Sequence, residues 1–514
     1  MAKPAGLRVS GSDSRGGAGL EVIRALHDQP TLHVVQPLED HVSGVLVLAK
    51  SEAAARRLGA LLRSARATIE YLAILSGEPK PVPAGRGGRR SGGGRGVALQ
   101  LVRRRKDLSL VRFSHGAVRT SAIRAELAGA GLPVLGDVTR KRAEERAKAR
   151  PRSRLFLHRA SVAFKHPDTG RAVSARAEPP RVFQTVMTAS EPLEDLLEVA
   201  LMSRLGCLLQ PETDSLRLFT GRAEGVPGLA AEKLGPVIVL QTHQGKFQGD
   251  EDRVRRIARW YAGTFRARAV YHKRFVRDRS RSEPDDPELA SAEPLIGRAC
   301  PEEFPILENG LRFLVRAYGG YSTGLFLDQR ENRRRVRELS AGGRVLNAFA
   351  YTCGFSVAAA AGGAAETVSV DVSRGALEWG RRNFAANGMS AEDQVFVRSD
   401  VFDYLKRAGR QGRSFELIVL DAPTFARSKR PARVFSIVKD LGRLIEESLG
   451  VLSPGGHVLV STNNRTRSAT WLREQVTVAA AAARRRFRVV AAPGLPADFA
   501  ADPGYSRSLL VHFP

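Results

Sequence analysis

From residue 344 onward, short apolar runs alternate with amphipathic segments of helical length. Each run has the length of a strand, and each intervening segment is long enough for a helix. Strands and helices that alternate in this way form a parallel sheet covered by helices on both faces. The pattern predicts a doubly wound α/β domain over residues 306–514, with the strands RVLNAFA, TVSVDVS, QVFVRSD, FELIVLDAP and HVLVSTN.

Residues 191–305 have a different pattern, which predicts a small α+β domain. A helix-rich segment covers residues 191–209. It is followed by apolar runs that are typical of strands and are spaced too closely for helices between them. These runs are LRLFTG, VPGLAAEKLG and PVIVLQTHQG.

Residues 1–190 form the third predicted domain. Residues 41–64 have the pattern of a turn, a buried strand and an amphipathic helix, and residues 68–77 that of a strand. Residues 84–106 begin as a Gly/Arg low-complexity stretch, which predicts a flexible surface insertion. Further basic runs lie at 139–154, where a charged surface helix is expected, and at 273–286.

The charge of the chain points to a polyanionic partner. Among 514 residues, 81 Lys and Arg oppose 53 Asp and Glu, which gives a formal net charge of +28. Such an excess attracts nucleic acid by electrostatic steering and counterion release. A high-GC genome explains why Arg outnumbers Lys, but it does not explain the surplus of positive charge. We therefore expect a nucleic-acid partner.

The cysteines and the hydropathy pattern indicate the compartment. The three cysteines, Cys207, Cys300 and Cys353, are far apart and lack metal-ligand spacing. They are expected to be reduced thiols of a cytoplasmic protein without a metal site. No apolar run reaches the length of about 18 residues that spans a bilayer, and the first residues lack the apolar core of a secretory signal. We therefore expect no membrane association.

Acidic residues follow successive strands of the predicted C-terminal sheet. Asp371, Asp400 and Asp421 end the second, third and fourth strands, and the loop 350–354 follows the first. In open α/β sheets ligands bind beyond the carboxyl ends of the strands. Asp371 is placed to bind a ribose diol, and Asp400 to accept a hydrogen bond from an adenine amino group. Each acid alone could be a helix N-cap, but three at successive strand ends favour a nucleotide-containing cofactor.

The fourth strand distinguishes between cofactors. NAD binding uses the same second-strand acid, but it normally requires G-x-G-x-x-G, which is missing here. Asp421 opens the sequence D-A-P-T-F, in which a carboxylate and a backbone carbonyl can hold the edge of a base. Phe425 offers a face for stacking, and methyl transfer to nitrogen depends on such positioning more than on acid–base help.

Several motifs together resemble the large-subunit (23S) rRNA methyltransferases, a family of cytosine-C5 and guanine-N7 enzymes. The resemblance covers about residues 210–514, and G-L-F-L-D-Q-R is its most specific element. It implies a Rossmann-like class I methyltransferase domain, S-adenosylmethionine as the cofactor and rRNA as the partner. The motifs are GLFLDQREN (324–332), VLNAFAYTCGFSVAAA (345–360), VDVSRGALEWGRRNFAANG (370–388), LIVLDAPTFARSKR (417–430) and STNNR (461–465).

The resemblance also assigns site residues. Those implied for cofactor binding are Asn347, Phe349, Tyr351, Gly354, Asp371 and Asp400. Those implied to present the target base, and therefore to be catalytic, are Asp421, Pro423 and Phe425. Those implied to contact RNA are Arg330, which could instead brace the cleft, together with Arg333, Asn463 and Asn464.

The residue after the fifth strand bears on the target atom. Cytosine-C5 methylation needs a nucleophilic cysteine, which the cytosine branch carries there as S-C-S; this chain has Ser461–Arg465, or S-T-N-N-R. Cys353 lies in the cofactor loop and is expected to be a packing residue. The sequence therefore favours the guanine-N7 branch, although 215–235 look closer to the cytosine branch. Ala422 departs from the family, which has proline there.

Residues 1–190 resemble pseudouridine synthases of the large-subunit rRNA type. The resemblance implies a curved, mostly antiparallel sheet with a basic RNA cleft. The family's nucleophilic aspartate, in H-R-L-D-x-x-T-S-G, is replaced by Glu39. Its K-x-Y and G-R-T-H-Q-I-R motifs have become I-E-Y (69–71) and V-R-T-S-A-I-R (118–124). We therefore predict an inactive RNA-binding domain. The carrying motifs are KPAG (3–6), VSGVLVLAKSEAAARRL (42–58), GLPVLGD (131–137), LFLHRA (155–160) and FKHPDTG (164–170).

The sequence thus favours a methyltransferase that acts on a guanine ring nitrogen of large-subunit rRNA, before or during ribosome assembly. One alternative is a cytosine-C5 methyltransferase, and a second is a dual enzyme that also isomerises uridine. A third is a ribosome-assembly protein that uses both folds only to bind RNA.

Overall fold

The structure is a computed structural model, and it divides the chain into two compact units. Unit 1 comprises Met1–Leu209 and Gly221–Pro227, and unit 2 comprises Gln210–Thr220 and Gly228–Pro514. Most of the predicted central domain therefore shares unit 2 with the predicted C-terminal domain, whereas its residues up to 209 and 221–227 belong to unit 1. The three-domain division with boundaries at 190/191 and 305/306 stays a prediction. The structure describes residues 1–7, 9, 20, 23–24, 29, 31–79, 98–116, 119–137, 155–188, 193–275, 291–429 and 432–514.

Unit 1 is built on a mostly antiparallel sheet, as the sequence predicts. Its strands are β1 (Ala2–Lys3), β2 (His33–Val34), β3 (Ser43–Val45), β4 (Leu48–Ala49), β5 (Ala67–Ser76), β6 (Gln100–Arg105), β7 (Leu108–Ser114), β8 (Leu157–Lys165) and β9 (Ala172–Arg176). The sheet has the order β1-β3-β8-β5-β7-β6, with β9 paired to β8. Among these described strands, only β3 and β8 pair in parallel.

The helices of unit 1 begin and end where local signals place them. They are α1 (Glu52–Leu62), α2 (Thr120–Gly129), α3 (Val182–Thr188), α4 (Leu193–Ser203) and α5 (Leu205–Leu208). The Ser51 hydroxyl caps α1 by accepting a hydrogen bond from the Ala54 amide, which would otherwise lack a partner. Leu58 and Leu62, one turn apart, are buried on its inner face. The predicted helices at 41–64 and 191–209 are confirmed.

One prediction for unit 1 is wrong in part. The segment 84–106 was expected to be a flexible insertion, but its last residues form β6, which pairs with β7 along the sheet edge. The strand has only two apolar residues, the adjacent Leu101 and Val102, which are about half exposed, so its sequence carries no strand periodicity. Most of the Gly/Arg stretch, and the basic run at 139–154, lie outside the described residues.

Unit 2 begins with a small mixed sheet and a hairpin. Its elements are β10 (Ser215–Thr220), β11 (Leu229–Leu234), β12 (Val237–His243), α6 (Glu251–Phe265), β13 (Ala269–Phe275), β14 (Ile296–Gly297), β15 (Phe304–Glu308) and β16 (Leu311–Val315). Helix α6 connects the parallel strands β12 and β13, and the other strand pairs are antiparallel. This arrangement confirms the predicted α+β character of the central region.

The rest of unit 2 alternates strands and helices around one large sheet. The elements are α7 (Arg330–Leu339), β17 (Arg344–Ala348), α8 (Gly354–Ala361), β18 (Glu366–Asp371), α9 (Arg374–Ala386), β19 (Val395–Arg398), α10 (Val401–Arg410), β20 (Phe415–Asp421), β21 (Phe425–Lys429), β22 (Ala432–Ser436), α11 (Ile437–Leu449), β23 (Leu452–Thr462), α12 (Ala469–Ala482), β24 (Arg488–Ala491) and β25 (Arg507–Phe513). The sheet order is β19-β18-β17-β20-β23-β25-β24.

The order of this sheet confirms the doubly wound prediction. Strands β17 to β20 and β23 pair in parallel, and the order reverses between β17 and β20. Strand β25 enters antiparallel to β23, which the sequence did not reveal. The point of reversal leaves a crevice at the carboxyl edge, where ligands bind in such folds.

Alternate side chains of the central strands belong to two different cores. In β20, Ile418 and Leu420 pack in the core that includes α10, α11 and α12. Leu417 and Val419 pack on the opposite face with residues of α7 and α8. This alternation has the period of 2 expected for a strand buried on both faces, so β20 is fixed as a rigid support for its carboxyl end.

None of the described helices is long and apolar enough to cross a membrane. In the same described ranges, no group of three or more His, Cys, Asp or Glu side chains is arranged to hold a metal ion.

Candidate functional site

A cavity of about 350 Å³ lies at the carboxyl edge of the large sheet in unit 2. Residues that follow β17, β18, β19, β20 and β23 line it, together with the segment Gly324–Gln329 that precedes α7. The sequence-predicted residues that line this cavity are Phe349, Tyr351, Gly354, Asp371, Asp400, Asp421, Pro423, Arg333 and Asn463. One pocket therefore brings together residues that are more than 100 positions apart in the sequence.

The loop after β17 has an unusual backbone. Phe349, Tyr351 and Cys353 have φ angles of 59°, 49° and 62°, in the left-handed region that disfavours residues with side chains. The loop is held in place because the Tyr351 amide donates to the Asp371 carboxylate over 2.9 Å and the Thr352 hydroxyl donates to a backbone carbonyl. Such strain persists where the surroundings enforce it, often at ligand sites.

Asp371 and Asp400 both line the cavity. The Asp371 carboxylate also accepts a hydrogen bond from the Ser373 amide at 2.8 Å, and burial raises its pKa above the ordinary aspartate value. Asp400 caps α10 by accepting from the Phe402 amide at 3.0 Å. The N-cap interpretation of Asp400 thus describes its hydrogen bonds, and the same residue still lines the cavity.

Aromatic side chains form much of the cavity wall. The ring centroids of Phe349 and Phe435 are 5.1 Å apart, and those of Phe402 and Phe435 are 6.3 Å apart. On the other side, Phe326 and Tyr351 lie 5.6 Å apart. Flat apolar walls of this kind suit a purine ring, and the carboxylates between them suit hydroxyl and amino groups.

The opposite end of the cavity is polar. Asp421 ends β20 and is hydrogen-bonded to Ser461, whose hydroxyl also accepts from the Gln329 amide at 2.7 Å. Burial raises the pKa of Asp421 to about 6, and the nearby carboxylate of Asp328 contributes to the rise. An acid held in this way keeps unsatisfied acceptor capacity that a ligand can use.

The turn after Asp421 has alanine at position 422, where the family has proline. Ala422 is buried and lines the cavity. The Thr424 hydroxyl donates to Asn463 at 3.0 Å, and the Thr424 carbonyl accepts from the Ile437 amide at 3.2 Å. These hydrogen bonds hold the turn in a chain that has Ala422 in place of the family's proline. Phe425, at 69% exposure, lies outside the set of cavity-lining residues.

Arg330 and Arg333 are buried beneath the cavity. Arg333 forms two hydrogen bonds to Glu308, at 2.6 and 2.8 Å, and lines the cavity. Arg330 bonds to Asp498 at 2.8 Å and is 5% exposed. The guanidinium of Arg330 thus faces the protein interior, and its predicted contact with RNA stays a prediction. Its alternative role, as a brace of the cleft, agrees with this position.

Two predicted residues lie behind the site. Asn347 is buried and donates to the Ser356 hydroxyl at 2.9 Å, so it supports the start of α8 from within the sheet. Asn464 is also buried, and its side-chain oxygen accepts from the Thr466 amide and hydroxyl. Neither residue belongs to the cavity lining.

The cavity also contains residues that the sequence reasoning did not assign. Asp328, Gln329 and Phe326 lie in the motif G-L-F-L-D-Q-R, so the motif itself was the available signal. Tyr505 comes from the segment before β25, and Phe435 from β22. No local pattern marks these two residues, because only the folded sheet brings them to the cavity.

The cysteine near the cavity is not available for chemistry. Cys353 is fully buried, and burial raises the pKa of its thiol to about 12. Cys300 is buried on the central sheet side and bonds to the Tyr271 hydroxyl. The burial of Cys353 agrees with its interpretation as a packing residue.

In unit 1, Glu39 lies within an ion-pair cluster. Arg124 contacts the Glu39 carboxylate at 2.9 Å and the Asp137 carboxylate at 2.7 Å. The loop that carries Glu39 is tied down by the buried Lys3, whose ammonium donates to the carbonyls of Asp40 and Val42. The position of the family's aspartate is thus taken by Glu39, whose carboxylate is paired with Arg124.

Comparison with known proteins gives two family matches. The model of the S-adenosylmethionine-dependent methyltransferase family matches residues 216–510, which is more than half of the chain. The RNA pseudouridylate synthase model matches residues 1–127. The two matches agree with the two resemblances inferred from the sequence.

Individual relatives are named as ribosomal RNA methyltransferases. The chain is 34% identical over 296 residues to a ribosomal RNA large subunit methyltransferase of Deinococcus radiodurans, covering 56% of this chain and 70% of that protein. It is 44% identical over 165 residues to ribosomal RNA large subunit methyltransferase K of Neisseria meningitidis, covering 32% and 47%. Methyltransferase I of Klebsiella pneumoniae is 36% identical over 247 residues, covering 48% and 59%. The chain therefore spans about half to two-thirds of the length of these relatives.

Among solved structures, SMU.776 has a similar fold over part of this chain. This protein is assigned as a methyltransferase and was crystallised with S-adenosylhomocysteine (SAH). The TM-score is 0.55 at 26% identity, and the match covers 68% of this chain and 87% of that one.

Proposed function

Because the chain belongs to the S-adenosylmethionine-dependent methyltransferase family, we propose that it methylates N7 of a guanine in large-subunit ribosomal RNA. The observation that supports this most directly is the shared cavity. It places two acids suited to a nucleoside, Asp371 and Asp400, on the same edge as Asp421 and Pro423. Cofactor and target base can thus meet at the sheet reversal.

The residues of the cavity fit S-adenosylmethionine, which supplies an electrophilic methyl group on a cationic sulfur. We assign the Asp371 carboxylate to the ribose hydroxyls, since it lies at the end of the second strand. We assign Asp400 to the adenine amino group and the Phe402–Phe435 wall to the adenine ring. The strained backbone of Phe349–Cys353 would hold the amino-acid part of the cofactor.

Ribosomal RNA is the proposed substrate class. Several relatives are named as ribosomal RNA methyltransferases, and a net charge of +28 favours binding to a polyanion. Asn463 and the exposed Phe425 lie beside the turn that would present the base. We propose that they contact nucleotides near the target, on RNA that is not yet packed into a finished subunit.

The thiols support guanine N7 as the proposed target atom. A cytosine-C5 mechanism forms a covalent bond between a cysteine and the ring. The chain has three cysteines, and Cys353, the one in the cofactor loop, is fully buried with a raised thiol pKa. Guanine N7 carries a free lone pair and needs neither a cysteine nor a general base. The site therefore supports guanine N7 best.

The test is mass spectrometry of rRNA nucleosides after incubation of purified protein, labelled S-adenosylmethionine and rRNA from a strain that lacks the gene. We expect label in 7-methylguanosine, and Cys353→Ala should retain the activity within about threefold because its thiol has no chemical role. Label in 5-methylcytidine, lost in Cys353→Ala, would contradict the proposal. A complete absence of label in any nucleoside would favour the RNA-binding alternative.

For unit 1 we propose an RNA-binding role without isomerase activity. Glu39 is one methylene longer than the aspartate of the family and is paired with Arg124. The exposed β6, with Arg103 and Arg104 in its sequence, offers charge for a phosphate backbone. We expect no tritium release from RNA that contains 5-labelled uridine, with wild-type protein or with Glu39→Asp. Release by the wild type would establish the dual enzyme instead.

A further inference from the structure

The polar end of the cavity has a second carboxylate, which belongs to Asp328. This residue lies in the short 3-10 helix Leu327–Gln329, just before α7, and is 7% exposed. It lines the same cavity as Asp421 although the two residues come from different elements. An acid at this position is therefore presented to whatever ligand occupies the polar end.

A hydrogen-bonded chain connects the two carboxylates along one wall. The Gln329 side-chain amide donates to the Ser461 hydroxyl at 2.7 Å and lies 3.5 Å from a carboxylate oxygen of Asp328. Ser461 in turn is hydrogen-bonded to Asp421. The wall fixes both acids on the same side of the pocket. Burial raises the pKa of Asp328 above its ordinary value, although a hydrogen bond with Ser506 lowers it. Burial, together with the nearby charge of Asp328, raises the pKa of Asp421.

The arginines near Asp328 form ion pairs with other carboxylates. Arg333 holds Glu308 with two hydrogen bonds and donates a third to the Phe326 carbonyl. Arg217 forms an ion pair with Glu232 at 3.1 Å. Both guanidinium groups lower the pKa of Asp328, but burial outweighs them. A pair of acids in this setting is most stable when a ligand supplies hydrogen-bond donors or positive charge.

We propose that Asp328 is a specificity-determining residue, which together with Asp421 accepts the N1 and 2-amino hydrogens of the target guanine. The same two carboxylates hold the positive charge that methylation leaves on the base. This inference rests on the proposed function, since it names how the site selects its base.

The chemistry of the bases supports this assignment. On its pairing edge, guanine offers N1–H beside a 2-amino group, whereas cytosine and adenine place an acceptor nitrogen next to their amino group. Two carboxylates therefore attract guanine and repel the other two bases. In the transfer, the N7 lone pair forms the new bond to carbon, and the electrons of the carbon–sulfur bond stay on sulfur. The positive charge passes to the purine ring, no proton is lost, and fixed carboxylates stabilise that charge.

The experiment compares Asp328→Asn with wild type on two RNAs, one with guanosine and one with inosine at the target. Inosine keeps N7 and N1–H but lacks the 2-amino group. We expect the wild type to prefer guanosine by about 10- to 100-fold in kcat/KM, in keeping with the value of a paired base contact. In Asp328→Asn the preference should shrink to about threefold or less, while SAH affinity stays within about twofold.

Two controls keep the outcomes distinct. Asp393→Asn, on the exposed surface of unit 2, should keep the full guanosine preference. SAH and 5′-methylthioadenosine titrations show whether each variant is folded, and Asp328→Ala should repeat the loss of preference if the asparagine distorts the site.

Unchanged guanosine preference in Asp328→Asn would overturn the inference and leave the proposed function intact. A loss of SAH affinity above about 10-fold, with 5′-methylthioadenosine binding unaffected, would also overturn it, because Asp328 would then bind the ammonium group of the cofactor. A wild-type protein that does not methylate guanosine would refute the proposed function itself.

Discussion

Asp421→Asn is expected to lower kcat for RNA methylation by at least about 100-fold while SAH affinity stays within about twofold. Asparagine has the same shape, but it turns one acceptor oxygen at the end of β20 into a donor. That donor would face the hydrogens of the target base, and the negative charge opposite the developing cation would be lost. Electrostatic groups of this kind contribute about 10²- to 10³-fold to kcat. The measurement is transfer of labelled methyl to rRNA under saturating cofactor.

The pH dependence of kcat is a second measurement that tests Asp421→Asn. The carboxylate of Asp421, with a pKa of about 6, must be ionised to accept hydrogen bonds, so wild-type kcat should fall as the pH drops below about 6. Asp421→Asn lacks this group, and the acidic decline should disappear from its residual activity. An Asp421→Asn variant with wild-type kcat and an unchanged pH profile would exclude Asp421 from the reaction.

Stability should change in the opposite direction to activity. Because the folded pKa of Asp421 lies above its ordinary value, its protonated form stabilises the fold at low pH, and that contribution is lost as the pH rises through about 6. At neutral pH the ionised group therefore costs stability, at most about 3 kcal/mol. Asp421→Asn should be at least as stable as wild type, as expected of a residue retained for function.

The sequence predicted the part of the site that depends on local order. Apolar runs of strand length located β17 to β20, and Asp371, Asp400 and Asp421 follow from the rule that ligands bind at carboxyl ends. The continuous apolar run Leu417–Leu420 indicates a strand that is buried on both faces, as β20 is. These features need only nearby residues and known periodicities.

Other parts of the site depend on contacts between distant residues. Helix α7 is almost entirely polar in sequence, so Arg330 and Arg333 looked exposed, but their partners are 168 and 25 positions away. The left-handed backbone at Phe349 and Tyr351 has no glycine to signal it. Tyr505 reaches the cavity only because β25 inserts antiparallel into the sheet. Pairings of this kind are set by the tertiary structure, and no local pattern encodes them.

The pairing of Arg330 with Asp498 explains why the polar helix α7 is stable at a buried position. Asp498 is fully buried and accepts from Arg330 at 2.8 Å and from the Arg217 backbone amide at 2.8 Å. Arg330 also donates to the Ser215 carbonyl at 2.6 Å. The cluster thus ties β10 of the small sheet to the helix that begins beside Asp328, and it keeps the polar end of the cavity in place.

Asp498→Ala is therefore expected to destabilise unit 2 by about 3–5 kcal/mol, because it removes the closer of the two carboxylates, Asp498 and Glu308, that pair with the buried Arg330 guanidinium. Unfolding in urea is followed with and without SAH, since the transition that SAH shifts reports the unit that binds it. Asp498→Asn, which keeps the hydrogen-bonding shape, should lose less.

The matched control is Arg255→Ala, which removes an exposed ion pair with Glu251 in α6 and should cost only about 0.5 kcal/mol. The contrast between the two pairs separates burial from charge as the source of the effect. If Asp498→Ala costs no more than Arg255→Ala, the buried cluster does not support the site. Equal stability with lower kcat would instead mean that Asp498 acts on the position of Asp328 without stabilising the fold.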